Sequence, residues 1–141
     1  MTFDEVYKAI KRGDVNSLRV ALDDGLDPNQ SNKYSWTILM SAAMRGKTSV
    51  GQLLIDHGAD LNQRNRDRDT ALSLAASTGH SSFVSLLLRN GASLECYPFG
   101  RSLDDYLDWV EKYCRHSKEQ MRNIRQQFDA ARNAEADQPI G

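Results

Sequence analysis

The sequence predicts an all-α solenoid of stacked helix-turn-helix units joined by short finger loops. Two glycine series carry the prediction. Gly13, Gly46 and Gly79 lie 33 residues apart, and so do Gly25, Gly58 and Gly91. The third observation is that apolar columns between these glycines keep the same register: Val6, Leu39 and Leu72; Ala9, Ala42 and Ala75; Val20, Leu53 and Leu86; Ala21, Leu54 and Leu87; Leu22, Ile55 and Leu88. A period of this length marks a solenoid, in which each unit buries its apolar face only against its neighbours.

The elements follow in order. Thr2 and Glu5 have the spacing of a capping box and open the first helix, with Tyr7, Lys8 and Lys11 as polar cover at that end of the stack. In the next unit, residues 38–43 place alanines where a helix must sit close to its neighbours. Gly46 and Gly79 then allow a tight break, because glycine reaches positive φ without a Cβ clash. A second helix carries Val50, Leu53 and Leu54 inward, and Phe83, Leu86 and Leu87 do the same one unit later. Gly58 and Gly91 fall just past its end, at a left-handed cap, and the polar run 62–69 has turn chemistry.

Towards the C-terminus the pattern changes. Ser102 and Asp105 are spaced as a capping pair, and Leu103, Leu107, Val110 and Cys114 then share one helical face. Ser117 and Gln120 open a further helix with Met121, Ile124, Phe128 and Ala131 at helical spacing. Residues 102–116 and 117–134 are therefore expected to form a helical pair that closes the core. The chain is read as a single domain over 1–134, with repeats at about 1–33, 34–66 and 67–99, capping helices within 102–134 and a disordered tail from 135 to 141.

Composition narrows the function. The 141 residues carry a formal net charge of −1, which offers no bulk attraction to nucleic acid or membrane. No run approaches the roughly 18 apolar residues of a membrane helix, and the acidic residues Asp4 and Glu5 at the N-terminus leave no apolar core for a cleaved signal. Two cysteines, Cys96 and Cys114, read as reduced thiols, so the expected location is the cytoplasm. His57, His80 and His116 lack metal-ligand spacing, so no metal or other cofactor is expected, and His57 is read as a surface residue. No phosphate loop, HExxH, CxxC or GxSxG pattern is present. The adjacent carboxylates Asp23–Asp24 and Asp104–Asp105 diverge by about 100° on a helix and cannot work as an acid–base pair; the first pair is assigned to the surface and the second to a helix N-terminus. The repeat is expected to form a scaffold without a deep pocket, and not an enzyme.

Residues 37–43 (TILMSAA) and 70–76 (TALSLAA) resemble the T-P-L-H-x-A-A motif of ankyrin repeats, and residues 58–62 (GADLN) resemble the ankyrin G-A-D-x-N turn. Residues 25–29 and 91–95 match that turn more loosely, and Gly79-His80 matches the inter-helix G-H; the likeness covers residues 3 to about 101. The motif's histidine is replaced by Met40 and Ser73, which implies that the bonds it makes between neighbouring repeats are missing, while Thr37 and Thr70 still cap their helices. Ser35 and Arg68 stand where the family has a glycine, leaving the shape of the finger tips open.

The resemblance implies recognition of another protein by finger tips and inner-helix edges, with the chain itself monomeric. Carried over by position, that surface comprises Lys11 and Arg12; Lys33, Tyr34, Trp36, Met44 and Arg45; Arg66, Asp67, Asp69, Ser77 and Thr78; and Tyr97, Phe99 and Arg101. Tyr34, Trp36, Tyr97 and Phe99 lie off the periodic apolar faces, and aromatics and arginine dominate interface energies. Trp36 is read chiefly as a binding residue; Tyr97 and Phe99, around Pro98, are read chiefly as seam packing beneath the cap. The alternative partner is nucleic acid or an acidic polymer on the basic stretch Lys112, Arg115, Lys118, Arg122, Arg125 and Arg132. A solvated outer face is the preferred reading of that stretch, because no aromatics interleave with the basic residues for stacking.

Overall fold

A computed structural model describes residues 1–95 and 101–136 of the chain. Six helices build three repeats: α1 (Phe3–Arg12) and α2 (Val15–Asp23), α3 (Ile38–Arg45) and α4 (Thr48–Asp56), α5 (Ala71–Ser77) and α6 (Ser81–Arg89). Two more, α7 (Leu103–Tyr113) and α8 (Lys118–Ala136), follow. The architecture is the all-α stack expected from the period. Helices α1, α3 and α5 pack in an inner row, α2, α4 and α6 in an outer row, and α8 extends the outer row against α6.

Local chemistry starts α1, α3, α5, α7 and α8 where the chain specifies it. Thr2 and Glu5 form a full capping box, the Glu5 amide donating to Thr2 Oγ1 at 3.3 Å and the Thr2 amide to Glu5 Oε2 at 2.7 Å. Thr37 and Thr70 accept from the amides of Met40 and Ser73 at 3.1 and 3.2 Å, and Ser102 and Ser117 do the same for Asp105 and Gln120. The inner row is tight because its facing residues are small: Ala42, Ala43, Ala75 and Ala76 are wholly buried. The outer row closes similarly at Gly51, where a Cβ would stand 2.6 Å from the Phe83 ring. Phe83, Leu86 and Leu87 fill that seam, each full burial contributing about 1.5–3 kcal/mol.

Val20 departs from its column. Leu53 and Leu86 are 6% and 1% exposed, whereas Val20 is 61% exposed. Leu86 packs onto the preceding repeat at Gly51, whereas the Val20 side of α2 is left open among the described residues.

The ties between repeats come from groups other than the motif histidine. The side chains of Met40 and Ser73 bond only within their own repeat, accepting the amides of Thr37 and Thr70, with Ser73 Oγ also donating to Asp69. Instead, Asn29 and Asn62, one period apart, accept the amides of Asp60 and Ser93 in the next unit at 2.7 and 2.8 Å. His80 Nε2 donates to the Met44 carbonyl at 3.0 Å, and His116 Nε2 donates to the Ser77 carbonyl at 2.7 Å. Each ring lies where a Cβ on the preceding unit's glycine would stand, 2.5 Å from it at Gly46 and 2.8 Å at Gly79, so these two sites need glycine for space as well as for φ +66° and +78°. Tyr106 of α7, one period beyond Ser73, is almost wholly buried and donates its hydroxyl to the Ser73 carbonyl at 2.6 Å; burial holds its phenol well above the ordinary range.

His57 lies at the surface, as expected, and is a further tie. Its Nδ1 lies 2.9 Å from the Leu53 carbonyl and its Nε2 lies 3.0 Å from Asp23 Oδ1 in the first repeat. Both partners accept, so the geometry favours the doubly protonated imidazolium. The Asp23 hydrogen bond, followed by the Leu53 bond, raises the His57 pKa. Asp23 is thereby more than a solubilising charge.

The finger tips keep the left-handed backbone without its glycine: Ser35 has φ 62° and Arg68 φ 65°. An L-residue there costs about 1–2 kcal/mol, of which roughly 0.4–1 is returned by the smaller entropy of a non-glycine unfolded chain.

Ser35→Gly and Arg68→Gly should therefore each stabilise the fold by about 0.5–1 kcal/mol, raising the melting temperature by roughly 2–3 °C. Alanine at the same sites should give no gain; calorimetry showing both glycine variants less stable contradicts the strain. The His57 ring should titrate above 6.5 by NMR, and Asp23→Asn should bring its midpoint back towards that value. The sign follows from the raised pKa: the tie is fully present below pH 6.5 and is lost as pH rises through the folded midpoint.

Candidate functional site

The concave side of the stack carries two neighbouring recesses, each built by a finger and an inner helix. The fingers owe their shape to two asparagines one period apart. Asn32 Oδ1 accepts the amides of Tyr34 and Trp36 at 2.9 and 3.1 Å, and Asn65 Oδ1 accepts those of Asp67 and Asp69, both at 2.9 Å. A bridge between Ser31 and Thr37 closes the base of the second-repeat finger. The Arg66 amide donates to the Tyr34 carbonyl at 3.1 Å, which chains one finger to the next.

The first recess is aromatic. Phe3 and Tyr7 of α1, Tyr34 and Trp36 of the finger, and Ser41 and Met44 of α3 line a groove of about 430 Å³, with a smaller pocket of about 240 Å³ beside Arg45. Tyr34 and Met44 are 49% and 41% exposed, while Trp36 is half-buried against the core and still faces the groove. Arg45 donates to the Tyr7 hydroxyl and lies 5.0 Å from that ring, so it is tied to the first repeat. Lys33 Nζ and the Arg66 guanidinium stand 5.0 and 5.7 Å from the Tyr34 ring.

The second recess is a cleft of about 510 Å³ lined by Arg66, Asp67, Arg68 and Asp69 of the next finger, Ser77, Arg101, and Tyr106 and Trp109 of α7. It is a half-open cleft, and its origin is steric. Tyr106 and Trp109 fall one period after the small Ser73 and Ala76, so α7 stands further from α5 than α5 does from α3. The two rings stack, centroids 6.0 Å apart and planes at 21°, and Arg101 lies 5.2 Å from the Trp109 ring. Asp69 is half-buried; desolvation raises its pKa, against the opposing hydrogen bond that Ser73 Oγ donates at 2.9 Å.

The site residues read from the sequence thus fall into groups. Tyr34, Trp36, Met44 and Arg45 gather at the first recess, and Arg66, Asp67, Asp69, Ser77 and Arg101 at the second. Lys33 flanks Tyr34 at the finger tip. Lys11 and Arg12 are exposed at the end of α1 and line neither recess. Thr78 spends its hydroxyl on the Leu74 carbonyl of its own helix, at 2.6 Å. Tyr97 and Phe99 lie outside the described residues. Sequence reasoning missed Tyr7, Arg68, Tyr106 and Trp109. Tyr7 and Tyr106 could have been found by extending the column of Met40 and Ser73 one period in each direction.

Two of the six residues of the basic C-terminal stretch are engaged in ion pairs. Arg125 pairs with Asp108 and Glu111 at 2.9 and 2.6 Å, and Arg132 pairs with Asp104 at 2.9 Å. These carboxylates come from α7, so the pairs pin α8 to α7. The expected lack of aromatics holds only in part, because Lys112 Nζ lies 5.1 Å from the Tyr113 ring. Among the described residues no group of His, Cys, Asp and Glu is arranged to hold a metal, and no helix is long and apolar enough to cross a membrane.

In comparison with known proteins, no curated relative matches the chain. A family model of ankyrin repeats, in three copies, matches residues 6–97, well over half of the 141. With three helix-turn-helix units stacked at the period of the glycines, the chain belongs to the ankyrin-repeat family.

Proposed function

We propose that this chain is a protein-recognition module that binds its partner within the cell through the concave surface, acting as a monomer without catalysis of its own. Ankyrin repeats generally mediate protein–protein interaction. The observation that carries the finer reading is the aromatic groove: Tyr34 and Met44 stay 49% and 41% exposed beside Tyr7 and Trp36. Isolated exposed apolar residues are ordinary, but a contiguous patch on a concave face is the kind of surface that partners cover. Arg66 joins this groove to the charged cleft, since it lines the cleft and stands over Tyr34. A partner segment lying across the fingers would meet both recesses.

Tyr34 and Met44 are the variants of choice, because Trp36 packs on the core and Arg45 holds Tyr7. Tyr34→Ala/Met44→Ala should melt within about 2 °C of the parent, as surface substitutions usually fall within ±0.5 kcal/mol. In a pull-down from native lysate read by mass spectrometry, the double variant should lose the captured protein. A control altered at Gln52 on the outer row should keep it. Equal capture by all three contradicts the reading.

A further inference from the structure

We infer that the cleft between the third-repeat finger and α7 is the seat for a carboxylate side chain of the protein partner, flanked in that partner by an apolar residue. The inference rests on the recognition role proposed above and assigns chemistry to one part of that surface.

Three features of the cleft point to this occupant. Arg66 and Arg68 form no ion pair among the described residues, although Asp67 and Asp69 alternate with them along the finger. Asp69 is turned inward, where its carboxylate accepts from Ser73 Oγ and is partly desolvated, and it pairs with neither guanidinium. Second, Arg68 holds a φ of 65°, where glycine would relieve local strain, so a cationic side chain is kept at the mouth of the cleft against a conformational cost. The corresponding position of the preceding finger, Ser35, shares the strain but carries no charge. Third, the lining includes the half-buried Trp109, backed by the buried Tyr106 ring and with Arg101 beside its indole, an aromatic edge that an apolar neighbour of the anion would cover.

The formal charges select among anions. Three arginines and two aspartates in the lining give it a formal net charge of +1. That excess suits a single carboxylate, which a guanidinium grips through two parallel hydrogen bonds. A phosphate dianion would instead meet Asp67 and Asp69 with a surplus negative charge.

The test is selection of a phage-displayed random dodecapeptide library on the immobilised full chain, repeated with Arg68→Gly, Arg68→Gln and the Tyr34→Ala/Met44→Ala variant. Peptides selected on the parent should share an Asp or Glu beside an apolar residue. A synthetic copy should bind roughly tenfold more weakly when that acid is changed to its amide, or when Arg68 is changed to Gly or Gln. Its affinity should also fall as salt rises. Because Arg68→Gly is expected to stabilise the fold, loss of binding in that variant cannot come from unfolding. Selected peptides without a shared acid, or with binding indifferent to Arg68, overturn the carboxylate seat while leaving recognition intact if they still depend on Tyr34 and Met44. Tighter binding when phosphoserine replaces the acid overturns the single-charge assignment. No selected peptide on any chain overturns the recognition reading and this inference together.

Discussion

The close approach of the inner helices is the constraint on which the rest of the structure depends. Ala42, Ala43, Ala75 and Ala76 are wholly buried, and only side chains of that size let α3 and α5 stack without prising the fingers apart. With the rows this tight, a finger that repeats every 33 residues must meet its neighbour, as Arg66 meets Tyr34 through the backbone. The outer row follows the same rule at Gly51, which admits the Phe83 ring. Fingers and grooves are consequences of helix spacing.

Where the constraint is relaxed, the cleft appears. Tyr106 and Trp109 occupy the register of Ser73 and Ala76, and their volume sets α7 away from α5. The wider seam is held by long polar reach in place of alanine contact: the Tyr106 hydroxyl on the Ser73 carbonyl and the His116 ring on the Ser77 carbonyl. Buried hydrogen bonds of this kind contribute about 1 kcal/mol each, with a larger penalty if one partner is removed. Arg125 and Arg132 then fasten α8 to α7 through exposed pairs, each worth little by itself but together fixing the cap's orientation. Cleft and capping device are therefore the same local departure from the repeat.

The three histidines show how a solenoid replaces a lost tie. His80 and His116 lean on the glycine of the preceding unit, and His57 joins Asp23 across the outer row. None stands at the motif position, which Met40 and Ser73 fill. The cohesion between repeats has moved from inside the inner helix to its C-terminal glycine and to the asparagines of the turn, Asn29 and Asn62.

By itself the sequence determined the period, the helix caps and the columns that became the core, because these depend on local hydrogen bonds and on which residues shun water. Thr2, Thr37, Thr70, Ser102 and Ser117 were legible as caps for that reason. It also determined the concave residues one finger at a time, from Tyr34 to Asp69. Only the tertiary structure decided which of them share a recess, since that depends on the spacing between helices far apart in the chain. It decided that Val20 is bare while its column partners are covered, that His57 has two acceptors, and that Ser35 and Arg68 keep a glycine's backbone because the finger's other hydrogen bonds outweigh its strain. The cleft belongs wholly to this second kind, because a stack of equal repeats has no room for it until two large rings on α7 hold the last helix away.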